Sequence, residues 1–164
     1  MTLDTPITPS ADSAAAGSRP PVVDPRGLRF AATLTTLVLA LVLVTGNGWL
    51  LAAQALVFAL GALDQSPYGL LFRRFVRPRL GPPAELEDAR PPRFAQVLGL
   101  VFGLAGVIGF ALGSNLVGLA ATALALIAAF LNAAFGICLG CELYLLFRRT
   151  STRRAPAQHK EGSA

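Results

Sequence analysis

The chain is poor in the side chains that most soluble chemistry uses. Of its 164 residues only 14% are charged, against about 25% in an ordinary soluble domain. Its one histidine, His159, lies in a polar C-terminal tail and reads as solvated. No Ser-His-Asp set, phosphate loop or carboxylate pair at catalytic spacing is present, so a hydrolase or nucleotide enzyme has no support. Cysteine occurs twice, as Cys138 and Cys141. One C-x-x-C supplies two ligands where zinc takes four, so a metal site would need Asp64 and Glu142 or a second copy of the chain. No metal and no cofactor is expected. Residues 1–22 lack the basic and apolar regions of a secretory signal and read as a disordered tail, as do residues 150–164. Lysine is also scarce, one against thirteen arginines, a compositional hint of a GC-rich bacterial genome.

What is abundant is uninterrupted apolar sequence. Hydrophobic residues make up 54% of the chain. No charge occurs from Phe30 to Leu63, and from Phe94 to Phe147 the only one is Glu142. A spanning helix needs about 20 apolar residues, so these blocks hold four spans, expected at 28–45, 48–63, 94–113 and 116–137, the second short and recruiting residues 64–68 at its end, with a basic, proline-rich linker at 64–93. Soluble helices would need polar faces, and these have none. The fold class is therefore all-α and integral to a membrane, with the lipid bilayer as its first partner. All 14 Lys and Arg residues fall in three segments, the N-terminal one up to Arg29, the 64–93 linker and the C-terminal one from Arg148. By the positive-inside rule those segments, and both termini, are cytoplasmic, and a bacterial inner membrane is the expected location. The same arrangement accounts for the high pI without nucleic acid, since no aromatic-interleaved basic patch appears.

The two halves resemble each other. RFAATL (29–34) matches RFAQVL (93–98), AAQAL (52–56) matches AATAL (120–124), and GLLFRR (69–74) matches YLLFRR (144–149). A duplicated helical hairpin follows, giving two parallel repeats about an axis normal to the membrane. Counting back from the arginine pairs sets Ser66 opposite Cys141 and Leu63 opposite Cys138. A cytoplasmic-side pocket is then expected from Asp64, Gln65, Ser66, Cys138, Cys141 and Glu142, with Asn132 beside it. Gln54, Gln96 and Asn132 read most simply as interhelical hydrogen-bonding groups.

The C-L-G-C stretch leaves several chemistries open. On a continuous helix, residues i and i+3 hold their Cβ atoms ~5–6 Å apart, too far for a disulfide at ~3.8 Å. Bonding would need local unwinding, which Gly136 and Gly140 permit. An unbroken last helix would place the pair near a C-terminus, where the dipole disfavours thiolate; a break at Phe135-Gly136 would let Cys138 begin a new helix in the opposite field. The run from 116 to 147 would be ~48 Å long as one helix, against a core of ~30 Å, which favours a break. Small cysteines can equally well serve helix packing, in line with Ala121, Ala125, Ala129 and Ala133.

The segments VDPRGLRFAA, LDQSPYGLLFRRFVRPRLGPP, RPPRFAQVLG and NAAFGICLGCELY resemble a bacterial family, frequent in actinobacteria, of small integral-membrane proteins designated only as a domain of unknown function. The likeness covers residues 22–149 and centres on F-G-x-C-x-G-C-E, carried by Phe135, Gly136, Cys138, Gly140, Cys141 and Glu142. The resemblance implies a multi-pass membrane protein, often associated with rhodanese-type sulfurtransferases and thioredoxin-like proteins. The leading expectation is thiol–disulfide exchange or sulfur transfer with such a soluble partner, Cys138 as nucleophile and Cys141 as resolving thiol. The alternatives are a structural or assembly protein whose cysteines only pack, and a small-molecule or ion carrier using the repeat interface. A homo-oligomer is compatible with either.

Overall fold

In the computed structural model, which describes residues 21–83 and 85–152, the apolar blocks fold as helices. A two-residue strand β1 (Val22–Val23) precedes α1 (Pro25–Thr45) and α2 (Gly48–Ala62). A short α3 (Pro67–Leu71) continues through a π-helical turn at Phe72–Val76 into α4 (Arg77–Leu80). Strand β2 (Glu87–Asp88) leads to α5 (Arg90–Ala111), α6 (Asn115–Phe135) and α7 (Leu139–Thr152). The tails expected at 1–22 and 150–164 lie outside the described residues except at their edges, where Val22 pairs with Asp88 and α7 reaches Thr152.

The helix ends are written locally. Asp24 accepts from the N–H of Arg26 and Pro25 takes the first helical position, so α1 starts where the sequence offers a cap and a pre-set φ. It stops at Gly46, whose φ of 64° returns its N–H to the Val42 carbonyl. The next residue, Asn47, caps α2 by accepting from Trp49 and Leu50. One two-residue turn thus closes one helix and opens the next.

Three helices, α1, α5 and α6, are long and apolar enough to cross a membrane. A fourth crossing exists only if α2 and Pro67–Leu80 count as one span, and these are bent by 75°. The span expected at 48–63 is therefore qualified. Alone, α2 has 15 residues, about 22 Å at 1.5 Å per residue, short of a ~30 Å core. The fourth expected span also ends earlier, at Phe135. Nor is the 64–93 linker uniformly irregular: Pro67 and Pro78 stand in first-turn positions, where a missing N–H costs nothing, so helix persists to Leu80.

The core is a seam of small residues. A Cβ on Gly99 would stand 2.8 Å from the Phe58 ring, and one on Gly106 would stand 2.6 Å from Leu51. Those hydrogens in place of methyls let α2 lie close against α5. Gly109 and Gly118 do the same for α5 and α6: a Cβ on Gly109 would fall 2.7 Å from the Gly118 nitrogen, and one on Gly118 would fall 2.6 Å from the Phe110 ring. Leu39, Val42, Leu51, Phe58 and Ala125 fill the centre. Gln54 is buried among them and stays satisfied: it accepts from the Tyr68 hydroxyl at 2.8 Å and approaches Thr35 Oγ1 at 3.5 Å. The outward faces remain apolar, with Leu37, Leu41, Val101, Ile108 and Leu116 exposed. Such a surface is compatible with hydrocarbon contact.

Candidate functional site

The last apolar run breaks where the glycine permits it. Gly136 has φ 72° and donates to the Asn132 carbonyl at 3.0 Å, ending α6 at Phe135. Two residues later the chain restarts as the 14-residue α7. Cys138 stands at the cap of that helix. Its carbonyl accepts from Glu142 N–H at 3.0 Å, and its Sγ accepts from Cys141 N–H at 3.3 Å. The two cysteines are joined as a disulfide, their Cα atoms 5.1 Å apart, within the ~4.4–6.8 Å that a bridge requires. The cap supplies the unwinding that an unbroken helix would deny. Both cysteines are half-buried.

Helix α7 is held by close approach to α5. A Cβ on Gly140, between the cysteines, would fall 2.6 Å from Ala95 Cα. One turn on, the Tyr144 and Phe94 rings meet with centroids 5.7 Å apart. Both fix the α7 N-terminus over the start of α5.

Beside the disulfide opens a cavity of about 640 Å³, bounded by α1, α5, α6 and the first turn of α7, with Phe58 of α2 and Glu87 of β2 also in its wall. Its two ends differ in chemistry. Arg29, Glu87, Gln96, Asn132 and Glu142 lie at the cysteine end, whereas Phe58, Phe102 and Leu124, with Thr35, line the interior. From Asn132 to Leu124 the α6 wall descends eight positions, roughly 12 Å. Arg29 also donates to the Ala133 and Ala134 carbonyls at 3.4 and 3.5 Å, placing a cation on the C-terminal end of α6.

Of the residues expected to form one pocket, Asn132, Cys138, Cys141 and Glu142 come together around this cavity. Asp64, Gln65 and Ser66 are at a separate break, between α2 and α3. Asp64 takes a left-handed φ of 62° and pairs with Arg93. Gln65 bonds through its backbone to the Leu60 carbonyl at 2.8 Å, and Ser66 Oγ accepts from Gly69 N–H at 3.2 Å to cap α3. By cap position Ser66 therefore corresponds to Cys138, three residues from the register set by the arginine pairs. Ser66 stands seven residues before Arg73, whereas Cys138 stands ten before Arg148. Arg29 was not anticipated as a site residue. Its match to Arg93 in the repeated RFA segments was the available signal, since each arginine reaches the break of the other half. Among the described residues no group of three or more His, Cys, Asp and Glu side chains is placed to hold a metal ion.

A family profile described as a domain of unknown function, DUF4395, matches residues 23–149. The chain belongs to that family. No curated protein and no solved structure matches it. The DUF4395 match takes in both helix breaks, the disulfide and every residue that lines the cavity.

Proposed function

We propose that this DUF4395 protein is a multi-pass membrane thiol protein that exchanges electrons, or a sulfane sulfur, with a soluble thioredoxin-like or rhodanese-like partner at the cytoplasmic face. The observation that carries the reading is the disulfide across the first turn of α7, with the Cys141 N–H directed at Cys138 Sγ. Free N–H groups and the positive end of the helix dipole favour thiolate at that cap, and thiolate is the form that attacks disulfides. Cys138 is the nucleophile. Cys141, inside the turn, is the resolving thiol, and a partner's dithiol would open the bridge while closing its own.

A role in packing alone is less well supported, because Gly140 rather than either cysteine makes the tight approach to Ala95. The clustering of all 14 basic residues in three segments supports cytoplasmic termini in a bacterial inner membrane. The duplication is supported by packing that repeats across the halves: α1 lies on α6 as α5 lies on α2, and α3 lies on α1 as α7 lies on α5. Both halves also break at a left-handed residue, Asp64 or Gly136, followed two positions on by a capping side chain.

The reading is tested by mass-tag alkylation in intact membranes, with and without reductant. Tagging of both cysteines without reductant, lost after mild oxidation and restored by reductant, supports a bridge that opens and closes. Cysteines that are never tagged, reduced or not, would return the pair to packing.

A further inference from the structure

The cavity beside the disulfide has the polarity of a particular kind of ligand. Arg29, Glu87, Gln96, Asn132 and Glu142 line the end near the cysteines, and the deeper wall is hydrocarbon except for Thr35. Two of its lining residues on α6, Leu124 and Ile127, are 55% and 54% exposed on the outer face of the bundle, so the apolar end adjoins the surface that meets lipid. A molecule suited to it carries a polar head for the disulfide end and an apolar tail that arrives from the bilayer. The Asn132 and Gln96 amides and the Arg29 guanidinium supply N–H donors for carbonyl oxygens on that head.

We infer that the cavity takes a lipid-soluble quinone, which accepts the electrons of the reduced Cys138–Cys141 pair. The inference rests on the thiol-exchange reading and names the second partner of that same site. A pair that a soluble dithiol keeps reducing needs a two-electron acceptor to turn over, and a quinone is one that dissolves in the membrane. The step balances. Two S–H bonds break and one S–S bond forms; the quinone gains two electrons and two protons and leaves as the quinol. Glu142, beside the pair in the cavity wall, is placed to pass one of those protons.

The test uses the full chain, reduced and reconstituted in quinone-free nanodiscs under anaerobic conditions. The probe is a decyl-substituted benzoquinone with no free ring position, so that thiols cannot add to the ring. Quinone reduction is followed by absorbance and bridge closure by mass tagging. The expected result is one quinone reduced per bridge closed, and none in Cys138→Ser. Ala128→Phe, which places a ring in the cavity wall, should slow the reaction at limiting quinone by about tenfold more than it slows bridge opening by dithiothreitol, a loss at the low end of overpacking costs. Asn132→Leu, which removes a head-end donor without adding bulk, should raise the quinone concentration needed for half-maximal rate. Bridge closure by an oxidised thioredoxin-like protein but not by the quinone overturns the inference and leaves the exchange reading standing. Phospholipid retained in the cavity with no quinone turnover does the same and marks an acyl-chain site. Equal quinone rates in wild type, Ala128→Phe and Asn132→Leu overturn the cavity as the place of reaction. Thiols inert to every reagent defeat both readings.

Discussion

The backbone N–H of Cys141 lies 3.3 Å from Cys138 Sγ, the same capping contact that Gly69 N–H makes with Ser66 Oγ at 3.2 Å. The C-x-x-C spacing is thus the spacing of a helix cap and the third residue of its first turn. What distinguishes the two caps chemically is sulfur in place of oxygen. Serine is among the strongest capping residues, whereas alanine at a cap costs about 1 kcal/mol. With both proteins reduced, Cys138→Ser should therefore unfold with wild-type stability and Cys138→Ala about 1 kcal/mol below it. Detergent-phase thermal or denaturant unfolding makes the comparison. Equal stabilities for the two variants would remove the capping role.

Gly136 sets where α6 ends, and its φ of 72° is one that side chains resist. Gly136→Ala should cost about 1–2 kcal/mol, and Gly136→Val more, because branching at Cβ adds to the clash. Both should slow bridge formation relative to wild type, since a helix continued through residue 136 separates the thiols. Air-oxidation rates followed by mass tagging check this. A Gly136→Val protein that closes its bridge at the wild-type rate would show that the break does not depend on glycine.

Gly140→Leu tests how α7 is anchored. Its Cβ would fall on Ala95, and forced packing of this kind costs about 1–3 kcal/mol. Ile137, 47% exposed at the break, provides the control: Ile137→Ala should change stability by under about 0.5 kcal/mol. Limited proteolysis after Arg148 or Arg149 should accelerate in Gly140→Leu alone. Equal cleavage rates in both variants would mean that α7 is not held through Gly140.

The apolar blocks were legible because hydrocarbon demands long charge-free runs, and Phe30–Leu63 and Phe94–Phe147 supply them almost without exception. The break in the last run was legible as a length problem, though only the left-handed φ of Gly136 decides between a break and a long tilted helix. Two features were not readable. Composition showed 48–63 to be short and in need of residues 64–68, but not that Asp64 takes a left-handed conformation, which aspartate tolerates unusually well, or that the helix turns by 75° there. The pocket was drawn around a pseudo-axis from matching letters, whereas the Arg93–Asp64 pair keeps Asp64 at its own break. A register counted from the arginine pairs cannot sense where the caps fall, seven residues before Arg73 at Ser66 but ten before Arg148 at Cys138.

The clustered basic residues carry a prediction about orientation. In a background with the native cysteines replaced, Ser114→Cys, in the α5–α6 turn, should label from outside the cell. Glu85→Cys, in the segment before β2, should label only after the cytoplasmic face is opened. Ser114 makes no side-chain cap bond, so the first substitution leaves α6 intact. Labelling of Ser114→Cys only from within would invert the topology and move the disulfide to the oxidising side.

Partner trapping tests the central claim most directly. Thiol exchange passes through a mixed disulfide that the second cysteine resolves. With Cys138 as nucleophile, Cys141→Ser incubated with an oxidised thioredoxin-like protein should accumulate a covalent adduct that reductant dissolves, while Cys138→Ser accumulates none. The account is contradicted if neither variant forms an adduct although both are folded and both remaining thiols can be alkylated.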